Sequence, residues 1–233
     1  MSEAPKESRR ISNVALVRST VALLVYMLLP IICSWNIRWT RGWIYAAATL
    51  AVTIASLAIL AKTNPGIIRA RAEARLGTSR FEKIGLAIFA PVLLAIFIVA
   101  GLDGGRYHWS RMPGWLLYVG LLFYFGGSAL VIWVMSVNPF AEPSVRIQAE
   151  RGHRVITTGP YRYVRHPMYS SSFVMFAGWP LILDSWWAFI PATALAALIV
   201  VRTVFEDRFL KQNLPGYEEY ARKTRYRLVP LVW

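Results

Sequence analysis

The sequence predicts an all-α, polytopic membrane helix bundle of about six transmembrane helices. The first reason is composition: 56% of the 233 residues are hydrophobic and 16% are charged, whereas an average soluble domain has roughly 25% charged residues. The second is that several uncharged stretches approach the length of about 20 residues that a transmembrane helix needs. The third is that the basic residues, 26 Lys and Arg against 12 Asp and Glu, concentrate between those stretches.

Six spans are predicted from five apolar stretches. These stretches are residues 19–37, 42–61, 84–102, 112–141 and 167–201. The last stretch carries one charge, Asp184, with Pro180 before it and Ser185 after it. We therefore predict a hairpin of two short helices that turns near Asp184. Gly178, Trp179 and Pro180 also fit a partly re-entrant fifth span, and in that case five helices cross the membrane.

The placement of charge predicts the orientation. With six spans, the two termini and the loops 62–83 and 138–168 share one side, which holds most of the Lys and Arg residues. Because cytoplasmic loops are enriched in Lys and Arg, we expect both termini in the cytoplasm of an integral protein of the inner or plasma membrane or the endoplasmic reticulum. Tryptophans at the predicted outer interface are typical of an aromatic belt: Trp35, Trp39, Trp43, Trp109, Trp115, Trp186 and Trp187.

Several functional classes are excluded by composition and motifs. A single cysteine, Cys33, rules out an intrachain disulfide framework. The cysteine and three histidines are scattered along the sequence, so we predict no metal site. The sequence has no Gly-x-Ser-x-Gly, G-x-G-x-x-G or P-loop motif. Topology explains the basic charge, so we expect no nucleic acid partner and no obligate protein partner. The tail before Arg18 lacks the layout of a signal peptide, so we expect the first span to be retained.

Two loops on the basic side hold much of the polar sequence. The 62–83 loop opens with an Asn-Pro-Gly turn and fits either a short basic amphipathic helix on the membrane or a solvated connector. The 138–168 loop is long for a connector, and long structured loops are often functional. Near its end, His166 is followed by Pro167, and proline is tolerated in a first helical turn. We therefore expect Arg165 and His166 at the mouth of the helical hairpin.

Charged residues on both sides of this hairpin converge at one membrane depth. Arg165 and His166 precede it, while Arg202, Glu206 and Asp207 come at its end. Arg202 and Glu206 are four residues apart, which fits either a surface ion pair or a functional site. Arginines suit carboxylate or phosphate groups, and carboxylates suit an ammonium. The site thus fits a small zwitterionic ligand beside a lipid.

Three motifs in this order carry a resemblance to a known family. They are GPYRYVRHPMY (159–169), R-x-x-x-E-D (202–207) and PGYEEYARKTRYRLVP (215–230). Together they resemble the isoprenylcysteine carboxyl methyltransferases and the related membrane phospholipid methyltransferases. The resemblance implies a methyltransferase-like core at 112–233, preceded by a three-helix membrane region at 1–111. The family usually has two adjacent glutamates where this chain has Glu206 and Asp207.

The resemblance implies S-adenosylmethionine as cofactor and a lipid or lipid-like acceptor such as an isoprenylcysteine carboxylate. It assigns cofactor binding to Tyr161, Tyr163, His166, Tyr169, Glu206 and Asp207, with Glu206 favoured as the partner of the cofactor's ammonium. It implies Arg165, Arg202 and Glu206 as catalytic residues, the arginines holding the acceptor's head group or the cofactor's carboxylate. A carboxylate acceptor needs no base, whereas an amine must lose a proton, and the sequence leaves both open.

Two other hypotheses stand beside this one. Membrane sterol reductases share an Arg-His-x-x-Tyr element and an Arg-Tyr-Arg-x-x-Pro tail, so an NADPH-dependent reductase is one alternative, although those enzymes generally have more than six spans. The other is a non-catalytic membrane module that retains the fold. Cofactor binding distinguishes the three hypotheses.

Overall fold

Helices and connecting turns make up the fold. The computed structural model describes residues 11–74 and 80–233. These residues form eight α-helices and no strand, which confirms the predicted all-α class. The helices are α1 (Asn13–Ser34), α2 (Thr40–Thr63), α3 (Pro65–Glu73), α4 (Arg80–Ala100), α5 (Leu116–Val137), α6 (Pro167–Ile182), α7 (Phe189–Asn213) and α8 (Tyr217–Lys223). A π-helical turn continues α4, and two 3-10 turns lie in the long loop: Gly101–Tyr107, Ala149–Arg151 and Gly159–Arg162.

Five of the described helices are long and apolar enough to cross a membrane. They are α1, α2, α4 with its π-helical turn, α5 and α7. The fifth predicted span, α6, has 16 residues, which at 1.5 Å per residue is about 24 Å and slightly less than a span usually needs. Its helix passes through Gly178, Trp179 and Pro180 and ends at Ile182.

Although it is short, α6 joins the two ends of the bundle. Before its first turn, the backbone N–H of His166 donates to the carbonyl of Arg227 in the C-terminal tail, at 2.9 Å. Just past its end, the carboxylate of Asp184 accepts a hydrogen bond from the backbone N–H of Met112 at 2.9 Å. The predicted turn near Asp184 is confirmed. We call the end with His166 the site end and the end with Asp184 the turn end.

Both ends of the described chain lie at the site end. The C-terminal tail is there through Arg227, and α1 starts there because Arg18 donates to the carbonyl oxygen of Ala72 in α3. The first helix begins at Asn13, earlier than the predicted span at 19–37, because the Ser12 side chain caps it. In addition, the carbonyl groups at the end of α3 accept hydrogen bonds from Arg18 and so stabilise its charge. The described chain therefore runs through the bundle an even number of times when the short helix α6 is counted.

The 62–83 loop contains a helix, as one of its two interpretations predicted. This helix, α3, begins with Pro65, and its Ile67 is fully buried against Leu60 and Met135. Its apolar face therefore packs on the bundle. Residues 75–79 of this loop and the tail 1–10, which the charge count included, lie outside the described residues.

Close backbone contact joins α5 to α6. A Cβ on Gly178 would come within 2.9 Å of the carbonyl oxygen of Gly120, and one on Gly127 within 2.6 Å of the side chain of Met175. Distances this short require glycine, because a side chain would force the helices apart. The short helix α6 is thereby held firmly against α5.

A buried carboxylate closes the turn end. Asp103, in the π-helical turn, is fully buried and accepts hydrogen bonds from the hydroxyl of Ser110 at 2.5 Å and from its N–H at 2.7 Å. It also accepts one from the hydroxyl of Ser185 at 2.7 Å. Ser110 follows α4, and Ser185 lies in the α6–α7 turn. Asp103 therefore joins the two halves of the chain.

The tryptophans predicted to form a belt lie around the turn end. Six of them are exposed: Trp35, Trp43, Trp109, Trp115, Trp186 and Trp187. Trp39 is the exception, because it is 7% exposed and its ring lies over two glycines. A Cβ would come within 2.6 Å of that ring at Gly42 and 2.9 Å at Gly105. Trp39 therefore packs in the interior.

Replacing Asp103 with alanine should destabilise the fold. In Asp103→Ala, the buried hydroxyl of Ser185 and the partly buried hydroxyl and N–H of Ser110 lose their acceptor, and an unsatisfied buried group costs about 1–3 kcal/mol. We expect a lower unfolding temperature of the detergent-solubilised protein, followed by tryptophan fluorescence. The matched control is Glu219→Ala, which removes an acid whose side chain is 72% exposed. Equal unfolding temperatures for the two variants would contradict the role of Asp103.

Candidate active site

The site end is built where the start of α6 pairs with the C-terminal tail. The N–H of Arg165 donates to the carbonyl of Tyr226, and that of His166 to the carbonyl of Arg227, both at 2.9 Å. Pro167 occupies the first position of α6, where a missing N–H costs nothing. The predicted helix entry is confirmed, and the two side chains before it are fixed beside α7.

An ion pair between Arg165 and Asp207 lies at the centre of this end. The Nε and Nη2 atoms of Arg165 donate to the two oxygens of Asp207 at 2.7 and 3.1 Å. Nη1 donates to the carbonyl oxygens of Thr224 and Arg225 at 2.9 and 2.8 Å. The Arg165 side chain is 5% exposed and that of Asp207 is 2% exposed. The pair therefore links α6, α7 and the tail.

Asp207 accepts further hydrogen bonds besides those of Arg165. The hydroxyl of Tyr217 donates to it at 3.0 Å, Nε of Arg227 donates at 3.2 Å, and Nε2 of His166 lies 3.3 Å away. Burial and the charge of Asp207 raise the pKa of Tyr217, so its hydroxyl stays protonated and can donate. Buried carboxylates need such donors to offset the loss of water. Asp207 is thus surrounded by partners from three segments of the chain.

Glu206, the neighbour of Asp207, belongs to a second group of contacts. The hydroxyl of Tyr169 donates to Glu206 at 2.5 Å and accepts a hydrogen bond from Nε of Arg202 at 2.7 Å. The ring of His166 stacks on that of Tyr169 with centroids 5.9 Å apart. The Glu206 side chain is 21% exposed. Tyr169 therefore links the arginine and the glutamate that the sequence placed on one helical face.

A cavity of about 490 Å³ opens beside this second group. Its polar end is lined by Asn138, Tyr161, Arg165, His166, Tyr169, Arg202, Glu206 and Tyr217. Its apolar end is lined by residues further from the helix ends: Leu86, Phe89, Val131, Met175 and Ile199. Ligand pockets in proteins commonly measure about 300–1,000 Å³. The cavity therefore suits ligands that place polar groups at one end and apolar groups at the other.

The 138–168 loop forms one wall of the cavity. Gln148 is 1% exposed and donates to the carbonyl of Phe140 at 2.9 Å, and the ring of Phe140 lies 4.6 Å from that of His153. Asn138 donates to the hydroxyl oxygen of Tyr161 at 2.6 Å. Burial raises the pKa of Tyr161 to about 12. The loop is thus a structured part of the site, as its length suggested.

Comparison with known proteins finds a family model that matches the second half of the bundle. Residues 115–215, from the start of α5 to just past α7, match the family model described as phospholipid methyltransferase. This segment is therefore similar to the phospholipid methyltransferases. The resemblance predicted from the three motifs is therefore confirmed. Together with the five long apolar helices, the match to this family model identifies an integral membrane protein.

The chain is also similar to curated proteins. It is 29% identical over 136 residues to the nickel-cobalt-cadmium resistance protein NccN of Alcaligenes xylosoxydans xylosoxydans, covering 57% of this chain and 59% of that protein. It is 27% identical over 146 residues to protein-S-isoprenylcysteine O-methyltransferase B of Arabidopsis thaliana, covering 59% and 69%. It is 32% identical over 114 residues to a probable protein-S-isoprenylcysteine O-methyltransferase of Oryza sativa subsp. indica, covering 46% and 57%. The matched stretch spans about three fifths of these relatives.

Most of the site residues expected from the sequence border the cavity. They are Tyr161, Arg165, His166, Tyr169, Arg202 and Glu206. Asp207 is 2% exposed and lies behind them, bonded to Arg165. Tyr163 is 62% exposed and is not part of the cavity lining, since it lies at the end of the 3-10 turn before α6. The two neighbouring acids therefore differ in their surroundings: Glu206 borders the cavity, whereas Asp207 is buried behind it.

Residues of the N-terminal half also line the cavity, and the sequence analysis missed them. Arg71 of α3 and Leu86 and Phe89 of α4 lie in its wall, outside the matched segment 115–215. The amphipathic pattern of the 62–83 loop predicted a helix, but it did not predict that Arg71 on this helix borders the cavity. Among the described residues, no group of three or more His, Cys, Asp or Glu side chains is placed to hold a metal ion.

Removing Asp207 should unfold the site end, whereas changing Glu206 should not. We expect Asp207→Ala to lower the unfolding temperature strongly, because breaking a buried ion pair costs about 3–5 kcal/mol. Glu206→Gln keeps the size of a partly exposed side chain and should unfold near the wild-type temperature. Differential scanning fluorimetry of both variants measures this. A larger loss in Glu206→Gln than in Asp207→Ala would contradict the assignment.

Proposed function

We propose that the protein is an S-adenosylmethionine-dependent methyltransferase that acts on a lipid or lipid-like acceptor. The observation that carries the proposal is the two-ended cavity. Its polar end offers a carboxylate, two arginines and aromatic rings, and its apolar end reaches into the helix bundle. The match of residues 115–215 to the phospholipid methyltransferase family model supports it. The similarity to the two plant O-methyltransferases supports it further.

The polar end has the chemistry that an amino-acid cofactor needs. Glu206 would hold the cofactor's ammonium, and Arg202 its carboxylate, since arginine binds carboxylates through paired N–H groups. The rings of Tyr161, His166 and Tyr169 offer flat surfaces for an aromatic base. When bound, S-adenosylmethionine supplies a methyl group on a positively charged sulfur. The chain therefore needs no covalent nucleophile, and its residues contribute orientation and electrostatic stabilisation.

Within this proposal, Arg165 and Asp207 are positioning residues. Four of the N–H groups of Arg165 are used by Asp207 and two carbonyls. The pair holds His166 at one side of the cavity and the neighbouring Glu206 at another. Arg202, Tyr169 and Glu206 remain as the groups that contact ligands directly.

The apolar end suits the acceptor's tail. Leu86 and Phe89 of α4 line the cavity together with Val131 of α5 and Ile199 of α7. Leu86 is also 43% exposed on the surface of the bundle. Burying apolar chain surface is worth roughly 25 cal/mol per Å². A lipid tail that enters from the bilayer would be held here.

Titration with candidate cofactors tests the proposed function. We expect purified, detergent-solubilised protein to bind S-adenosylmethionine and S-adenosylhomocysteine in calorimetry, and NADPH to give no heat of binding. Glu206→Gln should weaken binding of S-adenosylmethionine about tenfold or more, because a hydrogen bond to a charged group contributes about 1.5–3 kcal/mol.

The control for this titration is Glu218→Gln, in α8, whose side chain is 66% exposed. It should bind as the wild type does. Binding of NADPH alone would instead support a reductase, and an absence of binding to all three compounds in the presence of lipid would leave a non-catalytic module.

We further propose that the site end faces the cytoplasm, because most basic residues lie there. In a Cys33→Ser background, Trp35→Cys reports on the turn end and Leu231→Cys on the site end; both positions are more than 80% exposed. With a membrane-impermeant maleimide on intact cells, we expect labelling of position 35 alone, and of position 231 only after permeabilisation. The opposite pattern would reverse the orientation.

A further inference from the structure

Arg71 is a cavity residue from outside the family segment. It lies on α3 and is partly buried, and its Nη1 donates to the carbonyl of Ala141 at 2.7 Å. The same nitrogen is 4.0 Å from the sulfur of Met168, in the first turn of α6. These contacts fix the guanidinium next to the start of α6, one residue before Tyr169. Arg71 thus lines the cavity from α3, beside the start of α6.

The charge of Arg71 is less compensated than the charges of Arg165 and Arg146, two other arginines that line the cavity. Arg165 is paired with Asp207, and Arg146 with Glu142 at 3.1 Å. In the described part of the chain, Arg71 has no carboxylate within 4.0 Å. Burial lowers its pKa, and the charge of Glu142 offsets this only in part. A desolvated cation without a close anion is costly, so an anion in the cavity would be bound favourably there.

The surroundings of Arg71 indicate which ligand supplies this anion. Apolar residues of α4 and α5, Leu86, Phe89 and Val131, lie in the same cavity wall. The polar groups suited to the cofactor, Glu206 and Arg202, belong to α7. An anion at Arg71 would therefore lie between the apolar wall and the polar end, where the head of an acceptor with an apolar tail belongs.

We propose that Arg71 binds the anionic head of the methyl acceptor and so makes α3 a specificity element of the site. This inference rests on the proposed function. The chemistry is that of charged oxygens on an apolar chain. Such oxygens come from a carboxylate, as in a prenylated cysteine, or from a phosphodiester, as in a phospholipid. Arginine binds both through paired N–H groups.

Direct binding of two amphiphiles tests this without turnover. The probes are N-acetyl-S-farnesylcysteine, compared with its carboxamide, and lysophosphatidylglycerol, compared with a monoacylglycerol of the same chain length. Binding is measured by calorimetry on the wild type, Arg71→Gln, Arg71→Lys and Arg69→Gln. The last is the matched control, because Arg69 lies on the same helix and pairs with Glu73 at 2.9 Å.

We expect the wild type to prefer one anionic probe over its uncharged partner. Arg71→Gln should lose that preference, with at least a tenfold weaker affinity for the anionic probe, while Arg71→Lys retains part of it and Arg69→Gln all of it. The preferred pair identifies the source of the anion, carboxylate or phosphodiester. Affinity for S-adenosylmethionine should be unchanged in all variants, which separates this test from that of the proposed function.

Three results would overturn the proposal. The first is a wild type that does not distinguish either anionic probe from its uncharged partner. The second is an unchanged preference in Arg71→Gln. The third is an equal loss in Arg69→Gln, which would show that α3 acts only through its packing. Unfolding temperatures of the variants are measured alongside. If Arg71→Gln is misfolded, the preference of Arg71→Lys for the anionic probe decides the test instead.

Discussion

The buried ion pair between Arg165 and Asp207 holds the site end together. It joins three segments that are distant in sequence: the start of α6, the end of α7 and the C-terminal tail. Charges removed from water need a full set of hydrogen-bonding partners, and here the backbone carbonyls of Thr224 and Arg225 complete the set. The same constraint fixes Glu206, because it is the next residue of α7. The position of the candidate cofactor-binding carboxylate thus depends on a neighbouring pair in which Arg165 borders the cavity and Asp207 lies behind it.

The opposite end of the bundle gives this arrangement a fixed frame. Asp103 joins the α4–α5 connection to the α6–α7 turn, and glycines keep α6 tightly against α5. The helix α6 is therefore held at both ends and along one side. A site on such rigid helices keeps its groups at defined distances, which orientation-dependent catalysis requires.

Much of this architecture follows from the sequence, and the remainder depends on contacts that spacing cannot give. Apolar stretches predicted the spans, and Pro167 and Asp184 predicted where α6 starts and where the chain turns. Helical spacing placed Arg202 and Glu206 on one face. Spacing does not tell which of two adjacent acids points into a cavity, so the burial of Asp207 needed the structure. The exposure of Tyr163 could not be predicted from the sequence either, because it depends on how the preceding 3-10 turn ends.

The most direct test is the position at which S-adenosylmethionine becomes attached to the protein under ultraviolet light. The methyl-labelled compound is irradiated with the protein in bilayers, and the labelled peptides are identified by mass spectrometry. The proposed site predicts label in the 138–168 loop, the first turn of α6 and the end of α7, and its loss when S-adenosylhomocysteine is added. Label confined to the turn end, or label that S-adenosylhomocysteine does not displace, would contradict a cofactor site in this cavity.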